Sequence, residues 1–450
     1  MAIRSAIFVS ILVSISLFFG TAALAEDAPA TSDAAGSETE TEAAAEPPQE
    51  PGKEHRANYR NKTGFGGPSA INVQLDKDDE VKEPVFRLEV MDKALQPWFD
   101  IKKYVHEQIG LQIGMDYTIT TQHAEKPLTD NDTAGVGIAR LFGKWELLGR
   151  GTKDVGSFFV KGEHRHRTAD SAPGSPADAG RDLGYAGIPA TLFNDTEWIL
   201  NEFNWQQYFD DAETGLIIGR FDPNDYMDVS GHANPWEDFQ NVAVLLNPSI
   251  ALPDTSWGIG IGHWWSNQFY VVATLNDANG VISENEFKPF EEGPEFFKQV
   301  GIGWTPDRAK RFSHNLQVTF WHVDARDHIA SKESEGIALN AGWTFDDSWM
   351  IFTKMGWSDG DSANEFYDES YTFGAIHYFK NRTDELGVAV NWGELPVKGL
   401  DDQVTTEVFY KMQLAQRLAT TFSLQWLKDP AFNPERENVY LLGLRVRLTL

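Results

Sequence analysis

Cysteine is absent from the 450 residues. No disulfide can staple the fold, so a chain of this length must rely on a large core or a closed sheet. Beyond residue 25 there is no run of eighteen or more apolar residues, which excludes a membrane-spanning helix there. Basic side chains are scarce: 38 lysines and arginines stand against 67 acids, a formal charge of −29. That balance argues against nucleic acid as a partner. Part of the excess sits in residues 26–54, where nine acids meet one lysine, and most of the remainder reads as solvated surface. Hydrolase signatures are missing too, since neither GxSxG nor HExxH occurs.

Residues 1–25 have the pattern of a cleaved secretory signal: Arg4, an apolar stretch over 6–20, then Ala23-Leu24-Ala25. Residues 26–60 are rich in Ala, Glu and Pro and carry almost no large apolar side chain, so they are expected to be a disordered acidic tail. The N-terminal segment 61–108 has little pattern until Trp98, Ile101, Val105 and Ile109 fall at helical spacing after Pro97. These predict a short amphipathic helix near 97–108, with Pro97 in its first turn.

From residue 109 the periodicity becomes two. Leu111, Ile113, Met115, Tyr117 and Ile119 alternate with polar or small residues, and so do Val404, Val408, Tyr410, Met412 and Leu414. Tyr440, Leu442, Leu444, Val446, Leu448 and Leu450 alternate with a face carrying Arg445 and Arg447. Turn signals such as Asp346-Asp347 separate about sixteen such segments over 109–450. Strands of ten or so residues, apolar on one side and polar on the other, suit a barrel with lipid outside and water inside. The fold class is therefore all-β: a 16-stranded antiparallel transmembrane β-barrel with a short N-terminal helix. The strand at 438–450 is expected to close against the one near 110–122.

Several blocks over about residues 95–450 resemble the carbohydrate-selective outer-membrane porins of the OprB family. They are VKGEHRHR at 160–167, LNEFNWQQYFDDAETGLIIGRFDPNDYMD at 200–228 and NPWEDFQNVAVLLNP at 234–248. GWTFDDSWMIFTKMGWSDG at 342–360, RTDELGVAVNWG at 382–393 and LQWLKDPAFNP at 424–434 complete the set. Members commonly end in Phe, whereas this chain ends in Leu450. The resemblance implies passive diffusion of small carbohydrates across a bacterial outer membrane, without catalysis and without a cofactor. It also implies outer-membrane lipid, lipopolysaccharide and the barrel-assembly machinery as partners, with a homotrimer as a further expectation. The block at 234–248 resembles a loop that folds into the pore.

Strand parity selects the lumen candidates. In 158–167 it gives Glu163 and Arg165; in 198–208, Trp198 and Glu202, with Ile199 outward; then Arg220, Lys354, Glu407 and Arg445. The inward loop adds Trp236, Asp238 and Asn241 as constriction candidates. Guanidinium and carboxylate groups suit sugar hydroxyls, and aromatic rings suit sugar C–H faces. His164 and His166 share a strand face, but no third metal ligand is near in sequence. Two other functions fit parts of the pattern: a general or cation-selective porin on the same barrel, and a secreted β-rich glycan-binding protein.

Overall fold

The computed structural model describes residues 64–86, 88–169, 172–284, 293–379 and 383–450. The expected signal peptide and acidic tail lie outside the described residues. Four helices are named in chain order: α1 (Ile71–Asp79), α2 (Glu89–Ile109), α3 (Pro176–Leu183) and α4 (Val242–Leu245). None of the described helices is long and apolar enough to cross a membrane.

Sixteen strands make up the rest of the regular structure. The first four are β1 (Leu111–Glu125), β2 (Thr133–Leu148), β3 (Gly156–Arg167) and β4 (Glu197–Phe209). Next come β5 (Thr214–Phe221), β6 (Ser256–Trp264), β7 (Phe269–Asp277) and β8 (Phe296–Trp304). They are followed by β9 (His314–Val323), β10 (Ser334–Phe345), β11 (Trp349–Ser358) and β12 (Glu369–Tyr378). The last are β13 (Glu385–Glu394), β14 (Gln403–Ala415), β15 (Leu418–Lys428) and β16 (Asn438–Thr449). Each strand pairs antiparallel with its sequence neighbour, and β16 pairs with β1 in the register Thr118↔Arg447 and Thr120↔Arg445. Closure leaves no strand edge, which is the condition for a sheet in hydrocarbon.

The alternation read from the sequence sets the two faces. Leu442 and Leu444 point outward, as do Ile119, Leu141, Phe373, Val388 and Phe422, while Arg445, Arg447, Glu407 and Thr405 are buried inside. Short turns gather at the end where β1 starts and β16 finishes. Asp346 and Asp347 both hold left-handed φ (46° and 51°) in the β10–β11 turn, the geometry that lets tight hairpins follow strand twist. The long connections 168–196, 222–255 and 278–295 lie at the other end.

The N-terminal helix differs from expectation. α2 starts at Glu89, so Pro97 is interior and not in the first turn. Pro97 and Lys93 are both exposed, and water can serve the carbonyl that proline leaves without its helical donor. Glu89 and Asp92 favour the earlier start by complementing the helix dipole. The helix stops at Gly110 (φ 76°), where a Cβ would press on the Glu146 carbonyl at 2.9 Å.

Candidate functional site

Among the described residues three pieces of chain pack against the inner wall: α1, the 222–255 loop and the 172–196 connection. In the last of these Leu192 and Phe193 meet Val136, Ile138 and Trp236, and the Pro189 carbonyl accepts from Gln122 (3.2 Å) and Gln425 (2.9 Å). The anchors of the first two define the site. α1 enters the lumen along β1 and β2, burying Ile71, Val73 and Leu75, with Ile71 and Leu75 packed on Phe142 and Phe159. Its polar side meets the wall: Gln74 accepts from Arg140 (2.9 Å), and Asp78 pairs with Arg447 (2.7 Å).

The second piece is the 222–255 loop. Phe239, Val244 and Leu245 form an apolar cluster with the wall residues Met350, Phe352, Ile376, Ala389 and Phe409. An apolar patch on the inner wall would be unfavourable in a water-filled pore, and here it serves as the seat of the loop. Hydrogen bonds fix the register. The Glu407 carboxylate accepts from the backbone N–H groups of Gln240 (2.9 and 3.1 Å) and Asn241 (2.9 Å). Asn241 also caps α4 through Ala243 N–H (3.0 Å) and donates to Gln425 (3.0 Å). Lys354 donates to the Leu245 carbonyl (2.8 Å). Arg445 donates to the carbonyls of Pro235 (2.6 Å) and Asp238 (2.8 Å).

Glu237 is the electrostatic hub. It pairs with Lys77 of α1 (2.6 Å), Lys411 of β14 (3.0 Å) and Arg447 of β16 (2.9 Å). Burial alone would push its carboxyl up. The three cations override that and hold it well below the usual carboxylate range. Arg447 also meets Asp116, and Asp116 meets Arg140, whose guanidinium lies 3.4 Å from the centroid of the Trp236 ring. The α1 helix, the inward loop and four wall strands, β1, β2, β14 and β16, thus share one charge network. Asp228, also in the loop, is handled differently. Neither of its carboxylate oxygens has a partner among the described residues, and burial raises it to about 6, with Lys354 only partly opposing.

The other candidates lie along the wall. Arg165 pairs with Glu163 (2.7 Å), which also accepts from Asn201 (3.0 Å), and Lys161 pairs with Glu202. Arg220 is buried and donates to the backbone carbonyls of Leu200 (3.1 Å), Val281 (2.9 Å) and Ile282 (3.1 Å), so it ties down the 278–295 connection. Asp238 is buried in the loop beside Glu237.

Trp198 is a correction. It is 74% exposed on the outer face, edge-on to His164, while Ile199 is buried inside. The cause is a β-bulge: Lys161 pairs with Glu202 but Gly162 pairs with Leu200, leaving Asn201 as the extra residue. One extra residue inverts parity for everything before it in β4.

Sequence reasoning missed Gln74, Lys77 and Asp78, because 61–96 shows no strong period. It also missed Asp116 and Arg140 as site residues. Their signal was present, since both sit on the polar faces of alternating strands. At the short-turn end the network opens into a chamber of about 130 Å³, lined among others by Lys82, Trp236, Glu237, Lys411, Arg445 and Arg447.

A closed 16-strand antiparallel barrel with an apolar outer face and an inward loop is the architecture of an outer-membrane porin. Residues 331–450 match the family model described as "Carbohydrate-selective porin, OprB family", which bears out the resemblance read from the sequence. Among solved structures, the high-pH structure of Pseudomonas putida OprB superposes with a TM-score of 0.62 at 13% identity, covering 78% of this chain and 97% of that one. The low-pH structure of the same protein gives 0.46 at 12% identity, with 78% and 96% covered. A triple mutant of a Rhodopseudomonas blastica porin gives 0.47 at 11% identity, with 76% and 100% covered. At 13% identity the first of these is a likeness of fold alone. No curated protein sequence matches the chain.

Proposed function

We propose that this chain is an outer-membrane porin through which small carbohydrates diffuse passively, with a preference for sugars over ions. The observation that carries the reading is the state of the lumen charges. Glu163 and Arg165, Lys161 and Glu202, Lys411 and Glu385, and the Glu237 hub are all paired with one another. Paired charges offer hydrogen-bonding surface without a strong net field. A neutral sugar can exchange water for such contacts at small net cost, since each exchange is worth only about 0.5–1.5 kcal/mol. Weak contacts also suit conduction, because a pore must release what it binds. The family match over residues 331–450 supports the same reading.

The proposed roles are distinct. Glu407, Asn241, Lys354, Arg445 and Arg220 position the loops that narrow the lumen. Glu163, Arg165, Glu202, Trp236 and Asp238 supply the polar and aromatic surface that sugars slide along. Export through a cleaved signal at 1–25, insertion by the barrel-assembly machinery among lipid and lipopolysaccharide, and a homotrimer belong to the same proposal. The test is a planar bilayer held in potassium chloride, with glucose and maltose added over a wide concentration range. Partial block of the ion current in the millimolar range is expected. A current untouched by either sugar makes a general porin the better account.

A further inference from the structure

We infer that the chamber at the short-turn end contains a subsite for a sugar bearing one carboxylate group, built on Lys82 and Arg445. This rests on the carbohydrate-porin reading above and names a substrate class within it.

The chain as a whole carries −29, yet six lysine and arginine side chains line this chamber against four carboxylates. The local sign is therefore opposite to that of the protein. Three of the six cations, Lys77, Lys411 and Arg447, are committed to Glu237. Lys82 is not. Its backbone N–H donates to Gln416, but its ammonium group makes no hydrogen bond or ion pair among the described residues. Burial pushes that ammonium below its ordinary value, and an incoming anion would offset the cost.

Arg445 bonds only neutral oxygens: the Pro235 and Asp238 carbonyls and the Thr421 hydroxyl. Its Nε–H is buried without a partner. A buried guanidinium N–H with nothing to donate to is costly unless a ligand supplies the acceptor. Both Nη atoms of the Arg445 fork are engaged, so Nε is the one guanidinium nitrogen without a partner. One guanidinium donor and one ammonium match the two oxygens of a single carboxylate better than the three oxygens of a phosphate dianion. The Trp236 side chain also lines the chamber, one ring face covered by Arg140, and supplies an apolar margin beside the two donors.

The experiment compares half-blocking concentrations of glucose, gluconate and acetate in planar bilayers, for the wild type, Lys82→Gln and Lys82→Arg. In the wild type, gluconate is expected to block at about one tenth of the glucose concentration, the worth of one charge-assisted hydrogen bond. Lys82→Gln should remove most of that tenfold advantage, and Lys82→Arg should keep it. Equal potency of gluconate and glucose overturns the inference while leaving the sugar-porin reading in place. So does an unchanged gluconate block in Lys82→Gln. Acetate matching gluconate would make this a general anion site and overturn the assignment to sugar acids. If neither glucose nor gluconate blocks, the carbohydrate reading fails first and this inference with it.

Discussion

Replacing Glu407 should loosen the inward loop. Its carboxylate is the only charged acceptor drawn on by the Gln240 and Asn241 N–H groups among the described residues, through three contacts of 2.9–3.1 Å. A hydrogen bond to a charged group is worth about 1.5–3 kcal/mol, and the two donors share one acceptor, so alanine should weaken docking by about 3 kcal/mol. Every 1.4 kcal/mol is tenfold, so the undocked population rises about 150-fold. The apolar seat around Phe352 and Phe409 and the Asn241–Gln425 bond remain, and the loop should leave intermittently and not for good. Glu407→Gln keeps one carbonyl acceptor and should lose about half as much. Single-channel recording reads the difference: short-lived substates of higher conductance, frequent in Glu407→Ala and rarer in Glu407→Gln. The size cut-off in liposome swelling should rise in the same order. Retained heat-modifiable mobility in detergent gels would show that both variants fold. If both fold and both hold one steady wild-type level with the wild-type cut-off, Glu407 does not restrain the constriction.

Four further outcomes follow from the same geometry. Leu444→Arg places a charge on the lipid face of β16 and should cost roughly 2–4 kcal/mol, read as a lower midpoint in urea refolding into vesicles. Arg447→Met leaves Asp78, Asp116 and Glu237 short of a cation and should destabilise by about 3–5 kcal/mol in the same assay. Trp198→Ala should leave sugar flux unchanged, because the ring is on the outer face; a changed sugar block would restore it to the lumen. Asp228→Asn concerns pH. The folded carboxyl is raised to about 6 from 3.8, so its stabilising effect is full below about pH 4 and lost as pH rises through 6. The loss is about 3 kcal/mol at most, at 1.36 kcal/mol per unit. Asn also tolerates the left-handed backbone at this position (φ 46°), so the variant should be the more stable protein at pH 8. A variant whose pH profile copies the wild type would show that Asp228 is not buried as a neutral acid.

The barrel was legible because its code is local and repeated. Each strand reports its own two faces, and sixteen reports agree. Where Glu163, Arg165, Glu202, Glu407 and Arg445 were placed by parity, the structure buries all five inside. Parity fails where the count of residues changes. The bulge at Asn201 has no sequence mark, since Leu200-Asn201-Glu202 reads like any other strand, and so Trp198 was put on the wrong face. Phe352 and Phe409 show a different limit. They sit on faces that also carry Lys354, Glu407 and Lys411, and nothing nearby in sequence says that Phe239 will cover them. The partner is more than a hundred residues away, and the apolar side chain makes sense only once that partner is in place.

The same point explains why the plug was not foreseen. α1 has weak amphipathic character because it does not pack on a single apolar face. It lies between Phe142 and Phe159 on one side and Arg140 and Arg447 on the other. A helix that fills a polar lumen must satisfy both kinds of neighbour, and its sequence, INVQLDKDD, mixes them accordingly. Its acids and lysine are then not surface charge. Asp78 and Lys77 complete the counter-ions of Arg447 and Glu237, neither of which can be buried alone without a penalty of several kcal/mol. The inner wall, the loop and the helix each carry charges that are tolerable only in the presence of the other two. Removing α1 by deleting residues 64–86 should therefore do more than widen the lumen. It should leave Arg447 and Glu237 each short of a partner, expose a mixed-charge surface to permeating ions, and give a channel with larger conductance and sharper ion selectivity. Reversal potentials in a salt gradient measure this directly. A deletion that conducts more but keeps wild-type selectivity would mean that the Glu237 hub compensates itself without the helix.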